Sequence, residues 1–202
     1  LRRRHGRGLA ARYESRTGAD IGKALVEQGG HSPVTRTCRR PAHHHADHFL
    51  GLEVFRAAYP SVRIIATSAV IARINQVYQE KIDKWKQLLG SDAATRVVPI
   101  EPLDGDTITF DSSHIEVLKH IRGDTDEKTM LWIPERRILV AGDVVFNDMH
   151  VYTAETDSLA RGKWLHSLNA IRAMRPSVVI PGHSKSGARL DASTAVDFTE
   201  TY

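Results

Sequence analysis

The chain has 202 residues, 41% of them hydrophobic and 26% charged, with a formal net charge of +4. That is enough apolar chain to bury one sizeable core, which excludes wholesale disorder and makes a single folded domain the expectation. Its one cysteine, Cys38, excludes an internal disulfide and fits a reducing, cytoplasmic setting, and without a run of about 18 apolar residues no membrane span is expected.

Residues 1–40 form an atypical segment. Arg2-Arg3-Arg4-His5-Gly6-Arg7 opens it and Thr35-Arg36-Thr37-Cys38-Arg39-Arg40 closes it. An Arg-rich start could be the n-region of a secretory signal, yet no apolar stretch of about 7–15 residues follows. No aromatic residues interleave with the arginines, so no nucleic-acid partner is expected. One helix is predicted over Ala19–Gln28. Residues 32–42 lack the Val, Ile and Leu runs of a buried central strand, so the N-terminal region is expected to be incomplete or altered and to hold no ordinary strand there.

Next comes His43-His44-His45-Ala46-Asp47-His48, four imidazoles and a carboxylate in six residues. Nitrogen and oxygen donors packed this densely point to a cation among them. If the backbone is extended through His43 and His45, both rings face the same side. A turn at Ala46 then brings Asp47 and His48 round towards a second ion. A polar loop or a purification-tag fragment is the bland alternative, but the cluster is interrupted by Asp and leads into an apolar run.

That run predicts a helix over Phe49–Ala58, stopped by Tyr59-Pro60. The β-branched Val62–Thr67 reads as a strand. A long helix is predicted over Ser68–Leu89, with Ser68 as its cap, Gly90 as its stop, and Ile71, Ile74, Val77, Tyr78, Ile82 and Trp85 as its apolar stripe. Short strands follow at Val97–Ile100, Thr107–Phe110, Ile115–Ile121, Thr129–Ile133 and Arg137–Val140, with turns at Asp104–Asp106 and Pro134–Arg136. The chain closes with a helix over Leu159–Met174, a strand over Val178–Ile180 and a polar tail. Helices on either side of a strand-rich middle suggest an α+β fold of two sheets between helices, an αββα sandwich.

The H-x-H-x-D-H cluster resembles the signature of the metallo-β-lactamase superfamily, a group of mostly dinuclear metallohydrolases. Two later junctions support the resemblance: the apolar strand that ends in Gly142-Asp143 and the Val178–Ile180 strand that leads to Pro181-Gly182-His183. It covers roughly residues 41–202, taken as the hydrolase domain, and includes Val144–His150 and Trp164. Where the family commonly shows Gly-His-Thr, this chain has Gly123-Asp124-Thr125, which implies a subgroup with Asp124 as a ligand; His120 or His114 are the alternatives.

What the resemblance implies is a ligand set of His43, His45, Asp124 and Asp143 for one ion and Asp47, His48, Asp143 and His183 for the other. A hydroxide between the ions would attack a small ester, lactone, thioester or amide, with Asp47 moving a proton. Two divalent ions are implied, zinc first, with manganese or iron favoured by the extra carboxylate. His150 is a candidate for catalysis or for support of a ligand, Lys185 for an anion contact, and Trp164 for either a pocket wall or the core. The expected partner is a small-molecule substrate. The alternatives are a β-lactamase, although those enzymes generally lack an aspartate at the position of Asp143, a phosphodiesterase or nuclease, and a metal-binding protein left inactive by its N-terminus. His45 argues against a flavin-linked iron reductase.

Overall fold

Where one helix is predicted after the histidine cluster, the chain makes two: α1 (Ala46–Phe49) and α2 (Leu52–Ala58). The break falls at Leu50-Gly51, where glycine lacks the helix preference of its neighbours. A computed structural model describes residues 38–39, 43–110 and 113–202 of the chain. By their internal contacts they divide into two units, one ending at Pro102 and the other spanning Leu103–Tyr202. The helix predicted over Ala19–Gln28 lies outside the described residues.

The first unit holds a parallel three-stranded sheet of β1 (Cys38–Arg39), β2 (Arg63–Ala66) and β3 (Glu101–Pro102), in that order. Cys38 pairs with Arg63 and Arg39 with Ile64, and these two are the only described residues of the stretch 32–42 before the histidines. The strand predicted over Val97–Ile100 forms later, at Glu101-Pro102, where Ile65 and Ala66 of β2 pair with it. Val98 is buried all the same.

Helix α3 spans Ser68–Leu89 as predicted, but its cap is Thr67: the Thr67 hydroxyl accepts from the Val70 N–H at 3.4 Å. Gly90, at φ +60°, ends the helix in a conformation that disfavours a side chain. Val70, Ile74 and Ile82 are its buried positions, and Val70 and Ile74 pack with Phe49, Leu52, Val62, Ile64, Ala66 and Val98.

The second unit is built on a sheet ordered β4 (Thr107–Phe110), β5 (Ser113–Ile121), β6 (Lys128–Ile133), β7 (Ile138–Asn147) and β8 (Val178–Ser184). Neighbours are antiparallel except β7 and β8, which run parallel. Both of the strands predicted to end just before their functional residues run on through them. Asp143 therefore lies inside the ten-residue β7, and His183 inside β8.

The register of β7 against β8 shifts on both sides of Gly142, which sits at φ +55°. Such bulges re-aim side chains, and this one turns the strand where Asp143 leaves it. Helix α4 spans Ser158–Met174, with Asp157 as cap.

The predicted polar tail instead contains a helix, α5 (Ala192–Thr201), with Ala195 and Val196 fully buried. Thr199 fastens it to β7: its Oγ1 accepts from the Phe146 N–H and donates to a main-chain oxygen of Phe146 or Ala195, each at 2.9 Å. The core of this unit gathers Leu139, Val144, Val145 and Phe146 of β7 with Trp164, Leu168 and Ile171 of α4 and Val179 of β8.

Candidate metal centre

Helix α1 starts directly after the histidine pair. His45 is its extended N-cap residue and accepts the first backbone bond, from the His48 N–H, at 3.0 Å. A single helical turn stands where the turn at Ala46 is predicted. It folds His48 back so that its ring centroid lies 4.0 Å from that of His43, while the ring of His45 lies 4.6 Å from His43. Asp47 Oδ2 is 3.3 Å from His48 Nε2. His43 is buried, and Asp47 is the exposed member of the cluster.

In the second unit, three junctions converge on Asp143. Its carboxylate Oδ2 lies 3.5 Å from His183 Nε2 and 4.0 Å from Lys128 Nζ, and Lys128 also pairs with Asp124 Oδ1. Asp124, Lys128 and Asp143 are each at most 2% exposed. The ring of His183 stacks on Phe146 with centroids 5.5 Å apart and planes 14° apart, which fixes its orientation.

Two glycines make room for this packing. A Cβ on Gly123 would meet the Asp143 carbonyl oxygen at 2.7 Å. One on Gly182 would overlap Asp143 Oδ1 at 1.7 Å. Neither position tolerates a side chain without moving the carboxylate strand.

The alternatives to Asp124 lie elsewhere. His114 is exposed. His120 is 73% exposed and pairs with Glu127 at 2.7 Å, on the outer side of the β5–β6 turn. Trp164 belongs to the core, its indole N–H donating to the Val144 carbonyl at 2.8 Å. Lys185 is a surface residue that pairs with Asp148 at 3.1 Å. His150 is exposed and its Nδ1 is hydrogen-bonded to the Tyr202 hydroxyl at 2.7 Å, so its ring is held by the end of the chain.

Reading the sequence missed three residues. Lys128 stands in a polar stretch of the sequence, where a lysine ordinarily faces water. Arg122 pairs with Asp126 and donates to the Glu155 carbonyl at 2.9 Å, fastening the Asp124 turn to the segment before α4. Tyr152 has its hydroxyl pushed above the ordinary phenol range, first by burial of that group and then by the negative charges of Glu155 and Asp124. No spacing motif marks any of the three; only their neighbours in space do.

His43, His45, Asp47 and His48 in the first unit and Asp124, Asp143 and His183 in the second are imidazoles and carboxylates of the kind that can ligate a metal ion. Residues 43–183 match the profile of the metallo-β-lactamase superfamily. The chain belongs to that superfamily.

Solved structures agree with this metallo-β-lactamase superfamily fold of mixed helices and sheets. A metallo-β-lactamase from Pontibacter korlensis is 15% identical, with a TM-score of 0.59 over 90% of this chain and 74% of its own. A metallo-β-lactamase family protein from Thermus thermophilus is 18% identical, with a TM-score of 0.64 over 90% of this chain and 64% of its own. A β-lactamase domain protein from Burkholderia ambifaria is 20% identical, with a TM-score of 0.62 over 82% of this chain and 54% of its own. The chain thus spans between about half and three quarters of these proteins. No curated protein matches it. Among the described residues, no helix is long and apolar enough to cross a membrane.

The divalent metals typical of this superfamily suit the donor chemistry here. Imidazole nitrogen and carboxylate oxygen are ordinary ligands of zinc and its neighbours. The missing Cβ at Gly182 leaves room for the buried Asp143 Oδ1, while Oδ2 of the same carboxylate lies 3.5 Å from His183 Nε2. Asp124 fits less simply, since its carboxylate is already paired with an ammonium group.

Proposed function

We propose that the chain is a metal-dependent hydrolase of a small ester, lactone, thioester or amide. The ligands we assign are His43, His45, Asp124 and Asp143 for one ion and Asp47, His48, Asp143 and His183 for the other. The observation that carries this reading is the family match, which begins at the first histidine of the cluster and ends at the last proposed ligand. When bound, a divalent ion such as zinc supplies Lewis acidity, polarising a carbonyl and lowering the pKa of water from about 15.7 to about 7.

The chain's own residues supply the rest. Asp47 is the exposed carboxylate of the cluster, and it accepts a proton from the attacking water and returns it to the leaving group. His183, held flat on Phe146, keeps Asp143 in place. Carboxylate oxygen also suits harder ions, so manganese or iron is an acceptable substitute for zinc. The lone Cys38 supports a cytoplasmic setting, since nothing in the composition calls for an oxidising one.

The test is a panel of chromogenic esters, lactones, thioesters and amides, with nitrocefin added because solved neighbours are named as β-lactamases. Hydrolysis that a chelator abolishes and added metal restores is expected. Asp47→Asn should lower kcat by about 10²–10⁴. A fully metal-loaded protein that turns over nothing in the panel would overturn the assignment.

A further inference from the structure

We infer that Lys128 is a built-in cation of the candidate centre, and that it makes the candidate ligands around it unequal: the chain holds one divalent ion tightly, through Asp143 and His183, and resists a second, at Asp124. This inference rests on the metal reading above and deepens it.

Lys128 is only 1% exposed, and lysine is almost never buried that fully unless it is paired. Its Nζ contacts Asp124 Oδ1 and stands 4.0 Å from Asp143 Oδ2. Those are the two carboxylates assigned to the first ion. The placement is built into the backbone. Lys128 opens β6 directly after Glu127, which turns the chain at φ +57°, and pairs in the ladder with Ile121. The nearby cation Arg122 is engaged instead with Asp126 and the Glu155 carbonyl, so it does not compete for Asp124.

Charge argues the same way. Asp124 and Asp143 carry two negative charges and Lys128 one positive, so the ammonium already offsets half of the charge that would draw an ion to them. An ion at Asp124 would press against the ammonium for the same oxygen. An ammonium group has three donors on a flexible stem and can satisfy both carboxylates without a metal's coordination geometry.

The experiment is metal analysis and titration calorimetry with Zn²⁺ and Mn²⁺ on untagged, chelator-stripped protein, comparing wild type, Lys128→Met and Lys128→Arg. Circular dichroism monitors folding. Wild type should take one tight equivalent, Lys128→Arg one, and Lys128→Met two, its second at least tenfold tighter than any second site in wild type. Added Zn²⁺ should also raise the Tm of Lys128→Met more than that of wild type, because metal replaces the lost charge.

Two equivalent tight sites in wild type would overturn the inference and leave the metal reading standing. So would a folded Lys128→Met that binds no more than wild type. If Lys128→Met does not fold, the wild-type count alone decides. If no form binds metal, the metal reading falls and this inference with it.

Discussion

Asp143 owes its position to what its neighbours lack. Gly182 on β8 leaves space for Oδ1, and Gly123 lets the turn that carries Asp124 press against the Asp143 carbonyl. An alanine methyl at position 182 would stand 1.7 Å from Oδ1, well inside contact distance, so either the carboxylate or the strand must shift. Gly182→Ala is therefore expected to weaken metal binding by roughly 10–100-fold, the range seen when the support of a ligand is disturbed. Titration of the folded variant with Zn²⁺ checks it, and unchanged affinity would mean that Asp143 Oδ1 does not face the ion. The glycine itself is plain in the sequence as part of Pro-Gly-His. Its purpose is not, because the group it accommodates lies far earlier in the chain, on the parallel neighbour β7.

Among elements, α5 shows how a short polar stretch becomes structural. Asp191 caps it: Oδ1 accepts from the Thr194 N–H at 3.0 Å, the Thr194 hydroxyl at 2.7 Å and the Ser193 hydroxyl at 2.9 Å, and Oδ2 faces Arg189. These hydrogen bonds, those from Thr194 foremost, hold its carboxyl well below the usual carboxylate range. The ionised form is the one that caps, so the stabilisation is present above the unfolded-state pKa of about 3.9 and is lost as pH falls below it towards the lower folded value. Asp191→Ala should lower Tm by a few degrees at pH 7, and the gap between variant and wild type should shrink as the pH drops below about 4. Thermal melts across that range measure it; a gap that does not change with pH would show that the charge plays no part.

The predicted elements mostly stand at their expected places, with informative exceptions. Helix α3 keeps its bounds because Gly90 and a hydroxyl cap are local signals. The strands β7 and β8 run longer than predicted because pairing with each other, a non-local event, extends them past Gly142 and Pro181. α5 has Ala195, Val196 and Thr199 as its buried positions, too few apolar residues to stand out as a periodic pattern in the sequence.

At the scale of the whole molecule, the proposed ligands are drawn from residues 43–48 at one end and 124–183 at the other, so binding and folding are linked. A ligand present at about 100 times its Kd adds about 2.7 kcal/mol to stability. For a chain of this length that corresponds to a Tm change of roughly 5–10 °C. Chelation should lower Tm by about that amount and a stoichiometric divalent ion should restore it, followed by differential scanning calorimetry. A melt indifferent to both would remove the assigned ligand set.

The sequence by itself determined the family and supplied the donors of the proposed site. The spacing of His43, His45, Asp47 and His48, and the Gly-Asp and Gly-His junctions on apolar strands, are local patterns, and metal chemistry restricts what such patterns are for. Tertiary structure alone decided the environment of Asp124. That its carboxylate faces a buried ammonium, that His120 lies outside on the surface, and that Gly182 makes way for Asp143 all follow from the pairing of distant strands. The order of residues sets which groups are available; only packing sets which of them share a low-dielectric space.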